Sequence, residues 1–458
     1  MIHSTCIISE SAKKWPDLPA IIDSDYCVSY QQLSDIIDHA CLSLCQTSPD
    51  SKENLAFLTT GQTSDVIRIL AAQRSQRCIL PINPKLPGAL LNRIFEDINY
   101  VYWNSGLDLS PKPKSNGLAN DPDNKTDFPA NWLLTSGSTS LPKIAVISYR
   151  NHIQSALGSL AINNSEPGDR YLQSLPLFHI SGLATLYRCF LSGATLVMDR
   201  SKAQAQWLID NRITHMSLVP TQLERMLTQK PVGHFAFKQI LLGGGPIPES
   251  MNARKLSLPV MQTYGLTEMS SQVITRNVDG KDALLPNREL TIAADGEILV
   301  KGPTLFSGYL TKKGIELPLD EQGWFHTRDI GQWQNNNFCI LGRKDNQFIS
   351  GGENIQPETI EAILQQHPAI ARAIVIPVSD KIYGCRPFAF IEYRAHFEFT
   401  EHNIDILSNE ILESWLDSEL PPYMRPIAFH TLPQQDGMKV NRPYLIQLAE
   451  QILDDSMA

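Results

Sequence analysis

Two polar segments of the chain contain residue types that can bind the phosphates of a nucleotide. The first, residues 135–143, follows strand-like residues 132–134 and places hydroxyl groups and a glycine ahead of a lysine. Backbone N–H groups and hydroxyls in such a loop can bind a polyphosphate, and the lysine can neutralise it. The spacing is not the Walker pattern, in which Gly-Lys-Ser/Thr opens a helix, and a plain polar turn is the alternative. The candidate phosphate contacts are Thr135, Ser136, Gly137, Ser138, Thr139 and Lys143.

The second segment, residues 262–268, brings together an aromatic ring, a glycine, a hydroxyl and a carboxylate. A hydroxyl can hydrogen-bond a phosphate oxygen, and a carboxylate can hold Mg2+. A turn with an exposed glutamate is the alternative, so this segment predicts a nucleotide contact only in combination with others. The candidate residues are Tyr264, Gly265, Thr267 and Glu268.

A run of glycines lies upstream of this second segment, where strand-like residues 241–242 end. Backbone without side chains lets a flat ring approach closely, and a flexible turn is the alternative. The residues concerned are Gly243, Gly244, Gly245 and Pro246.

Further candidates lie toward the C-terminus. Asp329 can accept both hydroxyls of a ribose, and Arg343 can bridge ribose or phosphate. A turn aspartate and a surface ion pair are the respective alternatives. Lys439 lies in a polar loop, where a lysine is ordinarily solvated.

The elements that must position these residues alternate between strands and helices. Residues 20–22 and 26–30 predict a β-hairpin, residues 55–58 and 78–82 predict strands, and residues 66–70 predict a helix. This alternation predicts an α/β fold with largely parallel sheets.

The pattern changes near Asp345, where we place a domain boundary. Residues 1–345 are expected to form a large N-terminal domain of α/β subdomains with mainly parallel sheets, and residues 346–458 a small α+β domain. The polar residues 105–127 predict an exposed loop inside the first domain.

The composition indicates an ordinary globular protein. Its 458 residues, 42% hydrophobic and 19% charged, fit two or more domains. The net charge of -9 argues against nucleic acid and anionic membranes as partners. No apolar run approaches the roughly 20 residues of a membrane span, and the start lacks a secretory pattern. The eight cysteines show no metal spacing, so we expect a reduced, cytoplasmic protein; the oligomeric state, homo-oligomer included, stays open.

Taken together and in this order, the segments resemble the acyl-adenylate-forming superfamily of acyl-CoA synthetases, luciferases and peptide-synthetase adenylation domains. The resemblance covers the chain from Tyr30 to Lys439. Within the superfamily it is similar to the branch that activates o-succinylbenzoate in menaquinone biosynthesis, through residues 176–182, 217–223, 241–248 and 350–358.

The resemblance implies an ATP-dependent, AMP-forming ligase that joins o-succinylbenzoate to CoA through an acyl-adenylate, with Mg2+. The N-terminal domain would bind the AMP and acyl groups, and the C-terminal domain would be mobile and carry the catalytic lysine. The roles implied are catalysis for Lys439, Glu268 and Thr267, Mg2+ binding for Glu268, β- and γ-phosphate contacts for Ser138, Thr139 and Lys143, adenine contacts for residues 243–246, ribose contacts for Asp329, a hinge at Asp345, and a CoA channel at Gly351 and Gly352.

The acyl substrate of this branch carries a second carboxylate that does not react, and burying it unpaired would be costly. Arg225 lies four residues after Thr221, so the two share a helix face. We expect this face to line the acyl pocket, with Arg225 on the carboxylate and His179 and Tyr264 against the aromatic ring. A solvated helix arginine is the alternative.

The chain departs from the broader superfamily pattern at four positions. Ser140 and Ile144 stand where glycines are usual, and a positive φ would strain Ser140. Arg328 replaces a glycine before Asp329, and Met438 separates Gly437 from the lysine. The last two departures are typical of the o-succinylbenzoate branch.

Other functions compete with this interpretation. An acid–CoA ligase for another aryl or acyl carboxylate shares every nucleotide motif. A non-catalytic adenylate-binding protein is disfavoured by the retained lysines and carboxylates, and a carrier-charging adenylation domain by the lack of a carrier-domain signature. A serine hydrolase is disfavoured because the Gly-x-Ser-x-Gly elbow is absent from the sequence.

Overall fold

The protein is described here from a computed structural model. The described residues are 6–24, 26–48, 50, 53–96, 98–103, 107, 126–135, 142–198, 204–245, 247, 251, 257–394, 409–417, 419–433 and 440–457. Within them, no helix is both long and apolar enough to cross a membrane.

The described chain alternates helices and strands as the sequence predicts. The helices are α1 (Ile7–Lys14), α2 (Tyr30–Thr47), α3 (Thr63–Arg74), α4 (Gly88–Phe95), α5 (Tyr149–Leu160), α6 (Ile180–Ser192), α7 (Ala205–Asp210), α8 (Pro220–Leu227), α9 (Pro357–Leu364), α10 (Asn409–Leu416) and α11 (Arg442–Met457). The strands are β1 (Pro19–Ile22), β2 (Cys27–Ser29), β3 (Asn54–Leu58), β4 (Ile79–Ile82), β5 (Tyr100–Tyr102), β6 (Pro129–Thr135), β7 (Lys143–Ser148), β8 (Arg170–Gln173), β9 (Thr195–Met198), β10 (His215–Leu218), β11 (Gln239–Leu242), β12 (Val260–Leu266), β13 (Ser271–Arg276), β14 (Asp282–Leu284), β15 (Glu289–Ile292), β16 (Glu297–Lys301), β17 (Gly308–Thr311), β18 (Gly314–Glu316), β19 (Phe325–Gln334), β20 (Asn337–Arg343), β21 (Phe348–Ser350), β22 (Glu353–Ile355), β23 (Ile370–Asp380), β24 (Gly384–Tyr393) and β25 (Phe429–Thr431).

Two large sheets dominate the fold. One has nine strands in the order β14-β13-β12-β11-β10-β8-β9-β1-β2, and the other has seven in the order β18-β17-β7-β6-β4-β3-β5. In the first sheet the neighbouring strands from β12 to β1 pair in parallel, and in the second sheet the strands β5, β3, β4 and β6 do so. The remaining pairs in both sheets are antiparallel. The predicted α/β class with mainly parallel sheets is confirmed, and so is the hairpin of β1 and β2.

Local sequence explains where several elements begin and end. Ser29 and Gln32 form a reciprocal capping box at the start of α2, which satisfies two backbone N–H groups that a helix leaves unpaired. Ser148 and Asn151 do the same for α5. Helix α6 ends at Gly193, whose φ of 74° is left-handed and favours glycine.

The chain divides into two compact units. One comprises residues 1–291 and 299–326, and the other comprises residues 292–298 and 327–458. The division crosses β15, β16 and β19, which with β20 form a four-stranded sheet. Residues 327–345 therefore pack with the C-terminal unit, so this division falls earlier along the chain than the predicted boundary at Asp345. The second unit also contains the sheets β21-β22 and β23-β24-β25. Most of the predicted loop 105–127 lies outside the described residues.

Candidate nucleotide-binding site

The predicted phosphate segment joins two antiparallel strands. Thr135 ends β6, Lys143 begins β7, and the two residues pair across the strands. The Thr135 hydroxyl donates to the Lys143 carbonyl oxygen at 3.4 Å. Residues 136–141, which include Ser136, Gly137, Ser138, Thr139 and Ser140, lie outside the described residues, so their phosphate contacts stay a prediction.

The Glu268 turn, a single 3-10 turn of residues Thr267–Met269, connects β12 to β13. The Phe306 N–H donates to the Glu268 carbonyl oxygen at 2.8 Å. The fully buried Ser270, which follows the turn, has a φ of 54° and donates its hydroxyl to the Thr304 carbonyl oxygen at 2.9 Å. The main chain is therefore hydrogen-bonded on both sides of Glu268, and the Thr267 and Glu268 side chains are half-buried.

Tyr309 brings the phosphate segment and the Glu268 turn together. It lies on β17, which pairs with β7 so that Tyr309 is opposite Ala145. Its hydroxyl donates to Glu268 Oε1 at 2.7 Å, and Lys143 Nζ lies 4.8 Å from the centroid of its ring. Two motifs predicted separately, one cationic and one anionic, thus converge on one aromatic ring.

A cavity of about 520 Å3 adjoins this ring. Basic side chains line it together with apolar ones, which suits a ligand that carries both anionic and apolar parts. The described lining includes Arg93, Lys143, Lys312, Tyr309, Ile94, Ile144 and Leu310, together with one acidic residue, Glu316.

The glycines near β11 and β12 stand where backbone approaches backbone. A Cβ on Gly243 would lie 2.8 Å from the carbonyl oxygen of Thr263, and a Cβ on Gly265 would lie 2.1 Å from that of Ser271. Gly244 has a left-handed φ of 81°, whereas nothing lies within 4 Å of a Cβ on Gly245. Strands β11 and β12 are parallel neighbours, so their carboxyl ends share one sheet edge, where α/β proteins commonly bind ligands. Pro246 lies outside the described residues.

The carboxylate of Glu268 could bind Mg2+ together with the phosphates of a bound nucleotide. The described residues contain no cluster of three or more His, Cys, Asp or Glu side chains that could hold a metal. Mg2+ usually binds one or two carboxylates together with water and substrate phosphates. Glu268, with one oxygen held by Tyr309, can supply that carboxylate.

Three of the predicted acyl-pocket residues lie at or on helices α6 and α8, and the fourth, Tyr264, lies on strand β12. His179 precedes α6 and its ring lies 4.6 Å from that of Phe178. Thr221 and Arg225 share the exposed face of α8, opposite the buried Leu223. The spacing argument for a shared face is supported, while the carboxylate contact of Arg225 stays a prediction.

Arg188 is a candidate that sequence reasoning missed. It lies on α6 with only 2% of its surface exposed. Its guanidinium donates to Ser217 Oγ at 3.1 Å, Thr185 Oγ1 at 3.2 Å and the Tyr171 hydroxyl at 3.2 Å. A fourth bond, at 3.4 Å, reaches Gln272 Oε1, and Gln272 pairs with Gly265 of the second predicted segment.

Buried arginines are usually paired with an anion. Among the described residues, the hydrogen-bond partners of Arg188 are neutral, and no ion pair of this residue occurs there. A charged residue inside the mainly apolar run 183–190 was the available signal in the sequence.

In the C-terminal unit, Asp329 and Arg343 face each other on β19 and β20. Arg343 donates to Asp329 Oδ1 at 2.8 Å and to the Thr327 carbonyl oxygen at 3.1 Å. Burial lowers the pKa of Arg343, but the Asp329 and Asp345 carboxylates outweigh it, and the net shift is upward. The ion pair named as an alternative is present; the ribose contact stays a prediction.

Arg328 has a left-handed φ of 62°, which explains a glycine at this position in the broader pattern. Its Nε donates to Asp345 Oδ1 at 2.5 Å. Burial raises the pKa of Asp345, but hydrogen bonds from Arg328 and Arg343 hold it below its usual value. We call the linked charges the Asp345 cluster: Asp295, Glu297, Arg328, Asp329, Arg343, Lys344 and Asp345.

The predicted CoA-channel glycines form the tip of the β21–β22 hairpin. Gly351 and Gly352 have φ values of 57° and 90°, and the Gly351 N–H donates to the Tyr383 carbonyl oxygen at 2.9 Å. The catalytic lysine of the prediction, Lys439, and Met438 lie outside the described residues.

Comparison with known proteins identifies the class. Residues 98–310 match the family model for AMP-binding enzymes, and residues 359–437 match that for the AMP-binding enzyme C-terminal domain. The chain belongs to the AMP-binding enzyme family, and the predicted superfamily is confirmed.

Within the family, the chain is similar to 2-succinylbenzoate–CoA ligases. It is 33% identical to that of Salmonella typhimurium over 449 residues, 94% of each chain. It is 33% identical to that of Haemophilus influenzae over 432 residues, 91% of this chain and 92% of the relative.

Two solved structures from Bacillus subtilis are similar in fold as well as sequence. Both are o-succinylbenzoate CoA synthetase (MenE) at 26% identity over 96% of this chain. The complex with the acyl-adenylate intermediate OSB-AMP has a TM-score of 0.84 and is covered over 98% of its length. The complex with ATP and a magnesium ion has a TM-score of 0.82 and is covered over 99%.

Proposed function

We propose that the chain is an ATP-dependent ligase that converts o-succinylbenzoate, ATP and CoA to o-succinylbenzoyl-CoA, AMP and pyrophosphate, in menaquinone biosynthesis. The observation that carries the proposal is the convergence of Lys143 and Glu268 on Tyr309. It occurs in a chain that matches 2-succinylbenzoate–CoA ligases over 94% of its length.

The first half-reaction must bring together two anions. A carboxylate oxygen of the acid attacks the α-phosphorus of ATP, and the bond to pyrophosphate breaks. Two unit charges 4 Å apart repel by about 4 kcal/mol at an effective dielectric of 20. Lys143 would neutralise the β- and γ-phosphates, Thr267 would hydrogen-bond the α-phosphate, and Lys439 would lie between the carboxylate and the nucleotide.

Mg2+, when bound to the phosphates and to Glu268, would neutralise further charge on the leaving pyrophosphate. Glu268 is suited to this because the main-chain bonds of the Glu268 turn fix it without help from the ion. The adenine would stack near residues 243–246, and Asp329 would accept the ribose hydroxyls.

In the second half-reaction the CoA thiol attacks the acyl carbon of the adenylate, its proton leaves, and the bond to AMP breaks. Phosphate is a stable leaving group, which is the chemical purpose of the adenylate. By family resemblance, the C-terminal domain would turn at Asp345 between the two halves, removing Lys439 and presenting Gly351 and Gly352 to the CoA arm.

The second carboxylate of the substrate needs a positive partner, and we compare two arginines for this role. Arg225 is exposed on α8, whereas Arg188 is buried with neutral partners beside the strand pair that contains Gly265. An exposed arginine gains little from an ion pair, while a buried guanidinium gains more because water does not screen it. We therefore place Arg188 ahead of Arg225 as the carboxylate partner.

The cell compartment belongs to the same proposal. Cysteines are free throughout the described part of the chain, which supports a reducing compartment. A cytoplasmic ligase would meet ATP and CoA there.

ATP–pyrophosphate exchange tests the proposal. The exchange rate of the purified protein is measured in Mg2+ with o-succinylbenzoate, with benzoate, with a medium-chain fatty acid and without any acid. Exchange that depends on o-succinylbenzoate, followed by thioester formation when CoA is added, is the expected result. Exchange with another acid would move the assignment to a different acid–CoA ligase. ATP binding without exchange under any condition would favour a non-catalytic adenylate-binding protein.

The two arginines are separated by matched variants. We expect Arg188→Met to raise the KM for o-succinylbenzoate at least about tenfold, with little change in the KM for ATP. Arg225→Met should leave both constants within about twofold. The reverse order would return the carboxylate to Arg225.

A further inference from the structure

We propose that Tyr309 is a positioning residue that sets the geometry of both charged groups of the nucleotide site, through its hydroxyl for Glu268 and through its ring for Lys143. This inference rests on the proposed function, since it assigns to both groups their roles toward nucleotide and Mg2+. Tyr309 lies within the stretch that matches the family model for AMP-binding enzymes, residues 98–310.

The hydroxyl acts on Glu268. It donates to Oε1 at 2.7 Å, which restricts rotation of the carboxylate and leaves Oε2 to meet a cation. Hydrogen bonds to a metal-binding carboxylate orient it, and losing one typically lowers metal affinity about 10- to 100-fold. The Tyr309 hydroxyl should therefore raise the affinity for the Mg2+ complex of the nucleotide more than the affinity for the metal-free nucleotide.

The ring acts on Lys143. The ammonium lies 4.8 Å from the ring centroid, within the range of a cation–π interaction. Lys143 is otherwise an exposed side chain at the first position of β7. The ring keeps the flexible lysine near the phosphate segment without neutralising its charge, which a carboxylate partner would do.

Tyr309 is itself held rigidly enough to do this. Strand β17 is hydrogen-bonded to β7 on one side and to β18 on the other. The edge of the Phe306 ring packs against the Tyr309 ring at a centroid distance of 4.8 Å. The preceding Gly308 has a φ of 133°, and a Cβ there would lie 2.5 Å from the Glu316 carbonyl oxygen. The backbone that presents the tyrosine thus cannot easily shift.

Calorimetric titration of ATP in Mg2+ and in EDTA tests the hydroxyl separately from the ring. Tyr309→Phe keeps the ring and removes the hydroxyl. We expect the affinity for ATP to fall about tenfold in Mg2+ and to change less than twofold in EDTA. In the exchange assay, the Mg2+ concentration for half-maximal rate should rise by a similar factor. Equal affinities in Mg2+ for wild type and Tyr309→Phe would overturn the role of the hydroxyl.

Tyr309→Leu removes the ring as well. We expect a further loss of about threefold in ATP affinity that is present in EDTA too. Tyr102→Phe, at an exposed tyrosine on β5, is the matched control and should behave as wild type in both buffers. If Tyr309→Leu and Tyr309→Phe bind ATP equally in EDTA, the role of the ring is wrong.

A double-variant comparison shows whether the hydroxyl acts through Glu268. If it does, Glu268→Gln and the double variant Glu268→Gln/Tyr309→Phe should bind ATP equally in Mg2+. Additive losses would instead mean that Tyr309 acts by a general effect on folding, and would refute the inference. Because these titrations need no acyl substrate, they remain decisive even if wild type fails to exchange pyrophosphate with o-succinylbenzoate, a result that would remove only the proposed function.

Discussion

The Glu268 turn and the Asp345 cluster both hold residues assigned to the reaction, but by different kinds of bond. The Glu268 turn is fixed by buried main-chain and hydroxyl groups, including a bond from Ser155 Oγ to the Ser270 carbonyl oxygen at 2.5 Å. The Asp345 cluster is fixed by ion pairs whose cationic side chains are solvent-accessible, 55% for Arg328 and 45% for Arg343. The first arrangement uses neutral, buried groups, and the second uses charged groups whose cations are exposed although the carboxylates of Asp345 and Asp329 are largely buried.

The difference has a mechanical consequence. Breaking a buried hydrogen bond leaves an unsatisfied group at a cost of about 1–3 kcal/mol. An exposed ion pair contributes only about 0.2–1 kcal/mol, because water replaces the partner. A metal-binding carboxylate needs the first kind of support, and a hinge needs the second. Asp345, the predicted hinge, lies in the region whose bonds can be exchanged at low cost.

The largest expected effect comes from crowding the main chain beside the Glu268 turn. In Gly265→Ala the new Cβ would lie 2.1 Å from the Ser271 carbonyl oxygen and 2.7 Å from its carbonyl carbon. Neither backbone atom can move without disrupting the pairing of β12 with β13. We expect the free energy of unfolding to fall by about 3 kcal/mol, measured by urea denaturation.

Gly245→Ala is the control, since nothing lies within 4 Å of its Cβ, and it should change stability by less than about 0.5 kcal/mol. Similar losses in the two variants would mean that the close approach at Gly265 is absent in solution.

The sequence pattern was sufficient to predict the parts of the site that are contiguous in the chain. Residues 135–143 were singled out by their residue types after the strand-like residues 132–134, and residues 262–268 were singled out in combination with the other segments. Tyr309 was not predicted as a site residue, because its position depends on the pairing of β17 with β7, which brings Tyr309 opposite Ala145. Nothing in residues 305–311 alone indicates that partner.

The two arginines show the same limit. Spacing predicted that Thr221 and Arg225 share a face of α8, but it did not predict that this face is exposed. The burial of Arg188 results from strands β8, β10 and β13, which supply Tyr171, Ser217 and Gln272. The boundary near Asp345 was placed by a change of pattern, whereas compactness assigns residues 327–345 to the C-terminal unit.

Acid should weaken the large N-terminal unit before it weakens the Asp345 cluster. Burial lowers the pKa of His152 to about 3 and that of His215 to about 4. Each would titrate near 6.5 when unfolded, so below pH 6.5 the unfolded chain binds more protons. Stability is therefore complete above pH 6.5 and falls by up to about 1.4 kcal/mol per pH unit for each histidine as pH drops toward 4. Asp345, with its lowered pKa, stays charged in this window.

Urea denaturation from pH 7 to 4.5 measures this slope. His152→Phe keeps an aromatic ring to stack on Tyr187, which now lies 4.4 Å from the imidazole, and should roughly halve the slope. His234→Phe, at an exposed histidine, should leave it unchanged. An unaltered slope in His152→Phe would show that buried histidines are not the acid-sensitive groups.

The smallest effect is expected at Arg328, where backbone strain and ion pairing oppose each other. A non-glycine residue with a φ of 62° costs about 1 kcal/mol, while the ion pair with Asp345, whose arginine is exposed, returns about 1 kcal/mol. Arg328→Gly loses both terms and should stay within about 0.5 kcal/mol of wild type. Arg328→Ala keeps the strain and loses the pair, so it should be the less stable variant by about 1 kcal/mol.

Amide hydrogen exchange across residues 343–350 measures the local stability of this region in wild type and in both variants. Salt weakens surface ion pairs, so in 0.5 M NaCl the advantage of wild type over Arg328→Ala should shrink, whereas the gap between the two variants, which is set by backbone geometry, should persist. A salt-independent advantage of wild type would mean that the cluster behaves like the Glu268 turn, and Asp345 would then be poorly suited to a hinge.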